Sequence, residues 1–383
     1  MLKRLFFYLM CMFLTGVATA APDRNDISPP STSQQNDNRI KVTGYIDGSY
    51  NYLLRSNSFI SGVNDRVFDL AENGFTLQQA ALVLAKQSKQ GLGGFTTLIL
   101  GRDANNIAPN GFDSNVFDAR DIGFVIPEAY LQYAKSTFTF YAGELTSQSG
   151  YEEYEYTQDM NFSRSILFGY AQPGSYIGLK LADQINDQIN VAIGVGNGWN
   201  TIHRPTQINK IEAGIIYTPI STFSLTVDGY AGWNQYLTDT AESGPTGKRY
   251  LIDIFATWSA TEKLNFATNI DYGTQNKAEL PTNLIGRAIW QGIGGYVQYK
   301  WNEKWYTSVR GEIFADTDGY RTGVKQNWRE ITLSLGYSPI KHLLLRAETR
   351  HDFSNVGAFL DKNNINTSNN QQSYALDVLY QFG

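Results

Sequence analysis

The segment SYALDVLYQFG (residues 373–383) decides the fold. Tyr374, Leu376, Val378, Tyr380 and Phe382 occupy every second position, so an extended strand places them on one face and Ala375, Asp377 and Gln381 on the other. A strand with one apolar and one polar face separates two media. In a soluble sandwich the apolar face packs on a second sheet; in a transmembrane barrel it meets lipid while the polar face meets water. The rest of the chain chooses between them.

The same alternation recurs upstream, in KVTGYIDGSYNY (41–52), INVAIGVGNGW (189–199), FSLTVDGYAGW (223–233), YLIDIFATW (250–258), LNFATNIDY (264–272) and EITLSLGY (330–337). No long helical period and no continuous apolar span accompanies it. The connections alternate between two lengths. Short turns fall near 88–90, 135–136, 184–187, 218–221, 259–263, 301–304 and 338–341. Longer loops fall near 56–73, 105–124, 146–174, 200–207, 237–247, 276–285, 318–326 and 354–372. This asymmetry predicts an all-β fold, a transmembrane antiparallel β-barrel of about 16 strands with short periplasmic turns and long extracellular loops. The count closes only if SRSILFGY (163–170) belongs to the third long loop.

Charge placement follows the same rule. In the segment 343–352, Leu343, Leu345 and Ala347 share a face opposite Arg346, Glu348, Arg350 and Asp352; in 305–314, Trp305, Val309 and Ile313 oppose Ser308, Arg310 and Glu312. Asp47, Lys210, Glu212, Asp228, Asp253 and Asp271 also fall on the polar face. An Arg or Lys facing lipid near mid-membrane costs ~2–4 kcal/mol, so these groups are expected to line an aqueous lumen. The apolar faces carry Tyr and Trp near strand ends, the expected position of interface girdles.

The first residues place Lys3 and Arg4 before an apolar run from Leu5 to Leu14 and the small-residue pattern Ala18-Thr19-Ala20, so residues 1–20 read as a cleaved secretory signal. Residues 21–38 are polar and proline-bearing and are expected to form a disordered periplasmic lead-in to a barrel spanning 39–383.

Catalytic chemistry finds little support. Cys11 is the only cysteine and lies in the signal, which removes disulfides, thiolate metal sites and cysteine nucleophiles from the mature chain. The histidines are His203, His342 and His351, and His351 has opposite parity to Ser354. No metal-ligand spacing, phosphate loop or cofactor motif is present, and a net charge of -5 without a basic patch argues against nucleic acid.

The third long loop (146–174) carries Glu152, Glu153, Glu155 and Asp159 together with Arg164. Folded inward, its acidic run would face wall residues such as Arg310, Arg346 and Arg350, with Glu312 and Glu348 beside them. Opposed charges across a narrow pore set up a transverse field that selects among solutes. The stretch from Tyr141 to Phe168, with Gly150-Tyr151-Glu152 followed by Asn161, Ser163, Arg164 and Ser165, and later Pro173 and Gly178, resembles the β-barrel porin-2 (OmpL-like) family, as do GYIDGSY and VFDLAENGFTLQQAALVL. The resemblance implies a porin-like channel. The alternation Tyr374, Leu376, Val378, Tyr380, Phe382 also resembles the assembly signal of outer-membrane barrels, with Gly383 following the closing aromatic.

The expected function is a passive diffusion channel for small hydrophilic solutes or ions in a bacterial outer membrane, in contact with its lipid, delivered by the barrel-assembly machinery and compatible with a homotrimer. The alternative is a barrel scaffold whose extracellular loops serve adhesion or ligand binding; conductance separates the two.

Overall fold

The first and last strands pair with each other. In the computed structural model, β1 (Lys41–Leu54) hydrogen-bonds to β2 (Gly74–Lys86) on one side and to the terminal strand β18 (Asn370–Phe382) on the other. This closes an antiparallel barrel in which every other neighbour is consecutive except β15 and β18. The structure describes residues 39–54, 66–69, 73–115, 122–202, 208–236, 245–360 and 366–383. The expected signal (1–20), lead-in (21–38) and His203 lie outside the described residues.

Around the barrel follow β3 (Gly91–Gly101), β4 (Gly123–Lys135), β5 (Phe138–Thr146), β6 (Ser175–Asn186), β7 (Ile189–Gly196), β8 (Lys210–Ile220), β9 (Phe223–Tyr236) and β10 (Thr246–Ser259). Then come β11 (Leu264–Glu279), β12 (Ile285–Lys300), β13 (Trp305–Asp316), β14 (Gln326–Tyr337) and β15 (Leu343–Ser354). Counting β18, the wall has 16 strands, as the alternation predicts. The short pair β16 (Phe359–Leu360) and β17 (Asn366–Ser368) forms a separate hairpin in the last long connection. The segment 163–170 is not a strand: it lies in the third loop, where Ser165 caps a single helical turn, α2 (Ile166–Tyr170), by accepting from the Phe168 amide. Another such turn, α1 (Ala104–Ile107), follows β3.

The terminal strand answers its own question. Tyr374, Leu376, Val378, Tyr380 and Phe382 are 40–60% exposed on the outer surface, whereas Asp377 is 2% exposed inside. Leu379 shares the inner face, where it packs in an apolar cluster with Tyr45 and Phe162. The charges expected on the lumen side are all there: Asp47, Lys210, Glu212, Asp228, Asp253, Asp271, Arg310, Glu312, Arg346, Glu348, Arg350 and Asp352 are buried.

One expectation is corrected. Of the Tyr and Trp residues expected near strand ends on the outer face, Trp199, which closes the segment 189–199, points inward instead; with Trp290 and Trp328 it forms an apolar cluster with Ile166 and Leu167 of α2. Their neighbours Trp301 and Trp305 do sit on the outer face at the turn end. The inner three fill lumen volume that no strand covers, and the Trp290 indole finds its acceptor in the Ala171 carbonyl at 3.0 Å.

Two of the register shifts in the barrel wall position the site. On β2 the register shifts opposite Asp47 and Gly48, so that the consecutive Gln78 and Gln79 are both fully buried; Gln78 donates to Ser49 at 2.8 Å and Gln79 to the third loop. On β4 the shift falls between the partners of Thr97 and Ile99, where Pro127 sits without needing a donor. It lets Val125 join the inner apolar cluster while Glu128 and Tyr130, at opposite sequence parity, border the internal cavity.

Candidate functional site

Residues 147–174 leave β5 and lie across the lumen before returning to β6. Their first part crosses the wall one residue per strand. The Gln148 amide and Ser147 hydroxyl donate to Glu212 on β8, both at 2.7 Å; the Ser149 hydroxyl donates to Asp228 on β9 at 2.7 Å; the Gly150 amide donates to Asp253 on β10 at 3.0 Å; the Tyr151 amide donates to Asn269 on β11 at 3.0 Å. Glu152 then reaches β12 and β13, accepting from the Tyr296 hydroxyl at 3.2 Å and from Arg310 at 3.0 Å. An extended chain advances ~3.3 Å per residue and wall strands lie ~4.8 Å apart, so a strap running obliquely to the strands can meet each in turn near the narrower inner circumference.

The wall needs those donors. Asp228 is directly opposite Asp253, and Asp253 is directly opposite Asp271, a row of like charges that is destabilising when left alone. The strap's hydroxyl and amides enter this row, and Gln172, on the loop's return limb, donates to Asn269 and Asp271 at 2.8 Å each. Gly150 adopts φ +104°, and a Cβ there would lie 2.2 Å from the Gln172 side-chain oxygen, so both the turn and the close approach of the two limbs require glycine.

The remainder of the loop is anchored further along the same wall, on β13 to β15. The Ile166 amide donates to Glu312 at 2.7 Å. The Asn161 side chain donates to Ser334 at 2.7 Å, and the Phe162 and Ser163 amides share Glu348 at 2.8 and 3.0 Å. Arg350 donates to the Arg164 carbonyl at 2.6 Å and Arg346 to the Asn161 carbonyl at 3.2 Å. Glu312 and Glu330 are directly opposed on β13 and β14; Arg310 lies between them, 2.8 Å from Glu330 and 3.8 Å from Glu312. On the far side, Gln79 donates to the Tyr154 carbonyl at 3.0 Å, and the Tyr156 hydroxyl to Asp103, beside α1, at 2.7 Å.

The sequence-derived residues are therefore brought together, but in different roles. Glu152 faces Arg310 as expected. Arg346 and Arg350 meet loop carbonyls rather than the loop acids, because Asp159 is neutralised within the loop by Arg164. Arg164 also donates to the Tyr154 carbonyl at 2.8 Å and stacks its guanidinium over the Tyr156 ring. Glu312 and Glu348 receive loop amides. Glu153 and Glu155 lie on the other limb, toward β4; burial, helped by the Glu128 carboxylate and opposed by the Thr97 hydroxyl, pushes Glu155 up to about 7. Asp69 in the first loop, which accepts the Arg164 amide at 3.1 Å, is likewise raised to about 7, mainly by burial. The wall anchors Glu212, Asp228 and Asp253 were expected to line the lumen but not to hold the loop, and Asn269 and Gln172 were not singled out from sequence. For the wall residues the advance signal was inward parity; Gln172, in the loop, had none.

Below the loop lies a cavity of about 540 Å3. It extends from residues at the turn end, among them Gln87, Ser221 and Ser259, up to Glu153, Tyr154 and Gly174 of the loop. Phe95, Tyr130 and Tyr141 line it as a series, Phe95 stacked on Tyr130 at 5.5 Å and Tyr130 edge-on to Tyr141 at 5.3 Å.

The sequence model of the family described as "Putative beta-barrel porin-2, OmpL-like" matches residues 39–382. No curated protein matches in sequence. Among solved structures, the outer membrane channel DcaP of Acinetobacter baumannii is similar, with TM-score 0.62, 12% identity and coverage of 90% of this chain and 97% of that one. The anion-selective porin from Comamonas acidovorans gives 0.63, 10%, 90% and 99%. The trimer form of OmpT, an outer membrane protein of Vibrio cholerae, gives 0.56, 9%, 90% and 99%. At these identities the likeness is one of fold.

Proposed function

Because the chain belongs to the OmpL-like β-barrel porin-2 family and forms a closed barrel of outer-membrane type, we propose that it is a passive diffusion channel for small hydrophilic solutes or ions, without catalytic activity. One observation carries this reading: the inner wall is charged and polar around a cavity of about 540 Å3, whereas the outer wall is apolar. Passage is driven by the gradient alone. The loop 147–174 sets the size limit, and Glu152, Asp159, Arg164, Arg310, Glu312, Arg346, Glu348 and Arg350 act in the constriction by holding that loop across the lumen.

The proposal includes export through a cleaved signal at residues 1–20, a periplasmic lead-in at 21–38, handling of the terminal strand by the barrel-assembly machinery, and assembly as a homotrimer in the outer membrane of a Gram-negative cell. Mass spectrometry of the mature chain checks cleavage after Ala20, and native mass spectrometry checks the trimer.

Single-channel recording in planar bilayers tests the function itself. The purified, heat-modifiable barrel should show stable ionic steps, and changing Glu152, Glu153 and Glu155 together to Gln should alter their size or ion preference. A folded barrel that passes no current overturns the channel reading and favours a role for the extracellular loops in binding.

A further inference from the structure

The loop's anchors run along the wall from β8 to β15 and return to β2 through Tyr154; the cavity borders β8 to β13 as well as β4 to β6, and on β4 to β6 the charged side chains that line it are Glu128 and Lys180. Three charged side chains bring that cavity to the level of the loop there: Glu128 from β4, Lys180 from β6 and Glu153 from the loop. Glu152 and Asp159 also border the cavity, but their charges are met by Arg310 and Arg164.

Lys180 is 6% exposed, its ammonium 4.9 Å above the Tyr141 ring, and the carboxylates whose charges reach it are Glu128, Glu212, Asp228 and Glu153. Glu212 is paired with Lys210, and Asp228 receives the Ser149 hydroxyl. Glu128 accepts the Thr146 hydroxyl at 3.1 Å, at the point where β5 passes into the loop. A cation beside the outgoing limb of the loop, with carboxylates on the wall and on the loop, has the composition of a charge filter.

We infer that ions cross the loop along the β4–β6 side of the barrel and that Lys180, set against Glu128 and Glu153, determines their selection. This rests on the channel reading above. Lys180 sets a positive charge beside the carboxylates in this passage, so it limits cation preference and its neutralisation raises it. In a narrow, partly water-filled passage a unit charge ~4 Å from the ion acts by ~1 kcal/mol even at the dielectric of water, a factor of about five in relative permeability.

The test is the reversal potential under a salt gradient, with the full-length mature protein in planar bilayers. Lys180→Met should raise the cation-to-anion permeability ratio about fivefold, Lys180→Arg should keep the wild-type ratio, and Glu128→Gln should lower it. Lys180→Cys should behave like Lys180→Met until an aminoethyl thiosulfonate restores the positive charge, a clean readout in a mature chain expected to contain no other cysteine. Heat-modifiable mobility confirms that each variant is folded. If current flows normally but the Lys180 variants leave the ratio unchanged, while Arg310→Met moves it, the route lies on the other side of the loop and the inference is overturned. A wild-type barrel that carries no current overturns the channel reading itself, and this inference with it.

Discussion

Two arcs of the same wall carry similar inward charges and use them differently. Along β8 to β15 the carboxylates of Glu212, Asp228, Asp253, Glu312 and Glu348 accept hydrogen bonds from the loop, most of them from its backbone. Along β4 to β6, Glu128 and Lys180 border the cavity. The difference teaches that an inward charge on a porin wall is not by itself a filter element. Where a loop lies within hydrogen-bond reach, the charge becomes an anchor and its field is absorbed by the groups it holds.

The sharpest way to break this comparison is Arg310→Ala. Arg310 is 2.8 Å from Glu330 and 3.0 Å from Glu152, and it also donates to the Ser163 hydroxyl at 3.0 Å. Removing it leaves buried carboxylates uncompensated, a loss of about 3–5 kcal/mol. The unfolding midpoint in denaturant should fall accordingly, and the loop should become accessible to protease while single-channel conductance rises. An equal loss of stability in Lys180→Met would erase the distinction between the two arcs, since Lys180 is assigned no anchoring role.

How much of this was legible in the sequence follows from the range of each interaction. The strands were legible because side-chain parity is local: Asp377 and Val378 fall on the inner and outer faces by being adjacent. The strap was not, because most of its donors are backbone amides, such as those of Gln148, Gly150 and Tyr151, which look the same whatever the residue. The Glu152–Arg310 contact joins residues 158 apart and was only one of several acid–arginine pairings the loop allowed. The bulges defeated parity outright, since Gln78 and Gln79 are neighbours yet both buried, and Trp199, at the end of a segment whose aromatics were expected outside, packs inward against a helical turn of the third loop.

A more moderate perturbation acts on the strap without touching a charge. Gly150→Ala forces a Cβ into a backbone at φ +104° and against Gln172, whose amide serves Asn269 and Asp271. The backbone contribution is about 1–2 kcal/mol, so the barrel should remain folded while the start of the loop detaches. Open-channel noise should increase and proteolysis within residues 147–174 should accelerate, both by less than in Arg310→Ala. Were Gly150→Ala the more disruptive of the two, the strap rather than the arginine would be the main support of the loop.

The smallest effect distinguishes the arcs by pH. Glu155 lies on the limb of the loop that faces β4, and burial together with the Glu128 carboxylate raises it to about 7. A raised carboxyl is held in its protonated form more firmly in the folded chain than in the unfolded one. Its contribution to stability is therefore complete below the unfolded value near 4.5 and is lost as pH rises through 7. The same titration adds a negative charge beside the passage in this window, so cation preference should increase between about pH 6 and 8. Glu155→Gln should flatten that increase without changing the ratio at the acid end, where the wild-type residue is already neutral. Asp69 titrates over the same range, but its carboxylate accepts the Arg164 amide on the anchored side. Asp69→Asn should thus alter the pH dependence of loop stability and leave the pH dependence of selectivity in place. If Asp69→Asn instead abolished the change in selectivity, the anchored arc would be setting the ion preference and the division between the two arcs would fail.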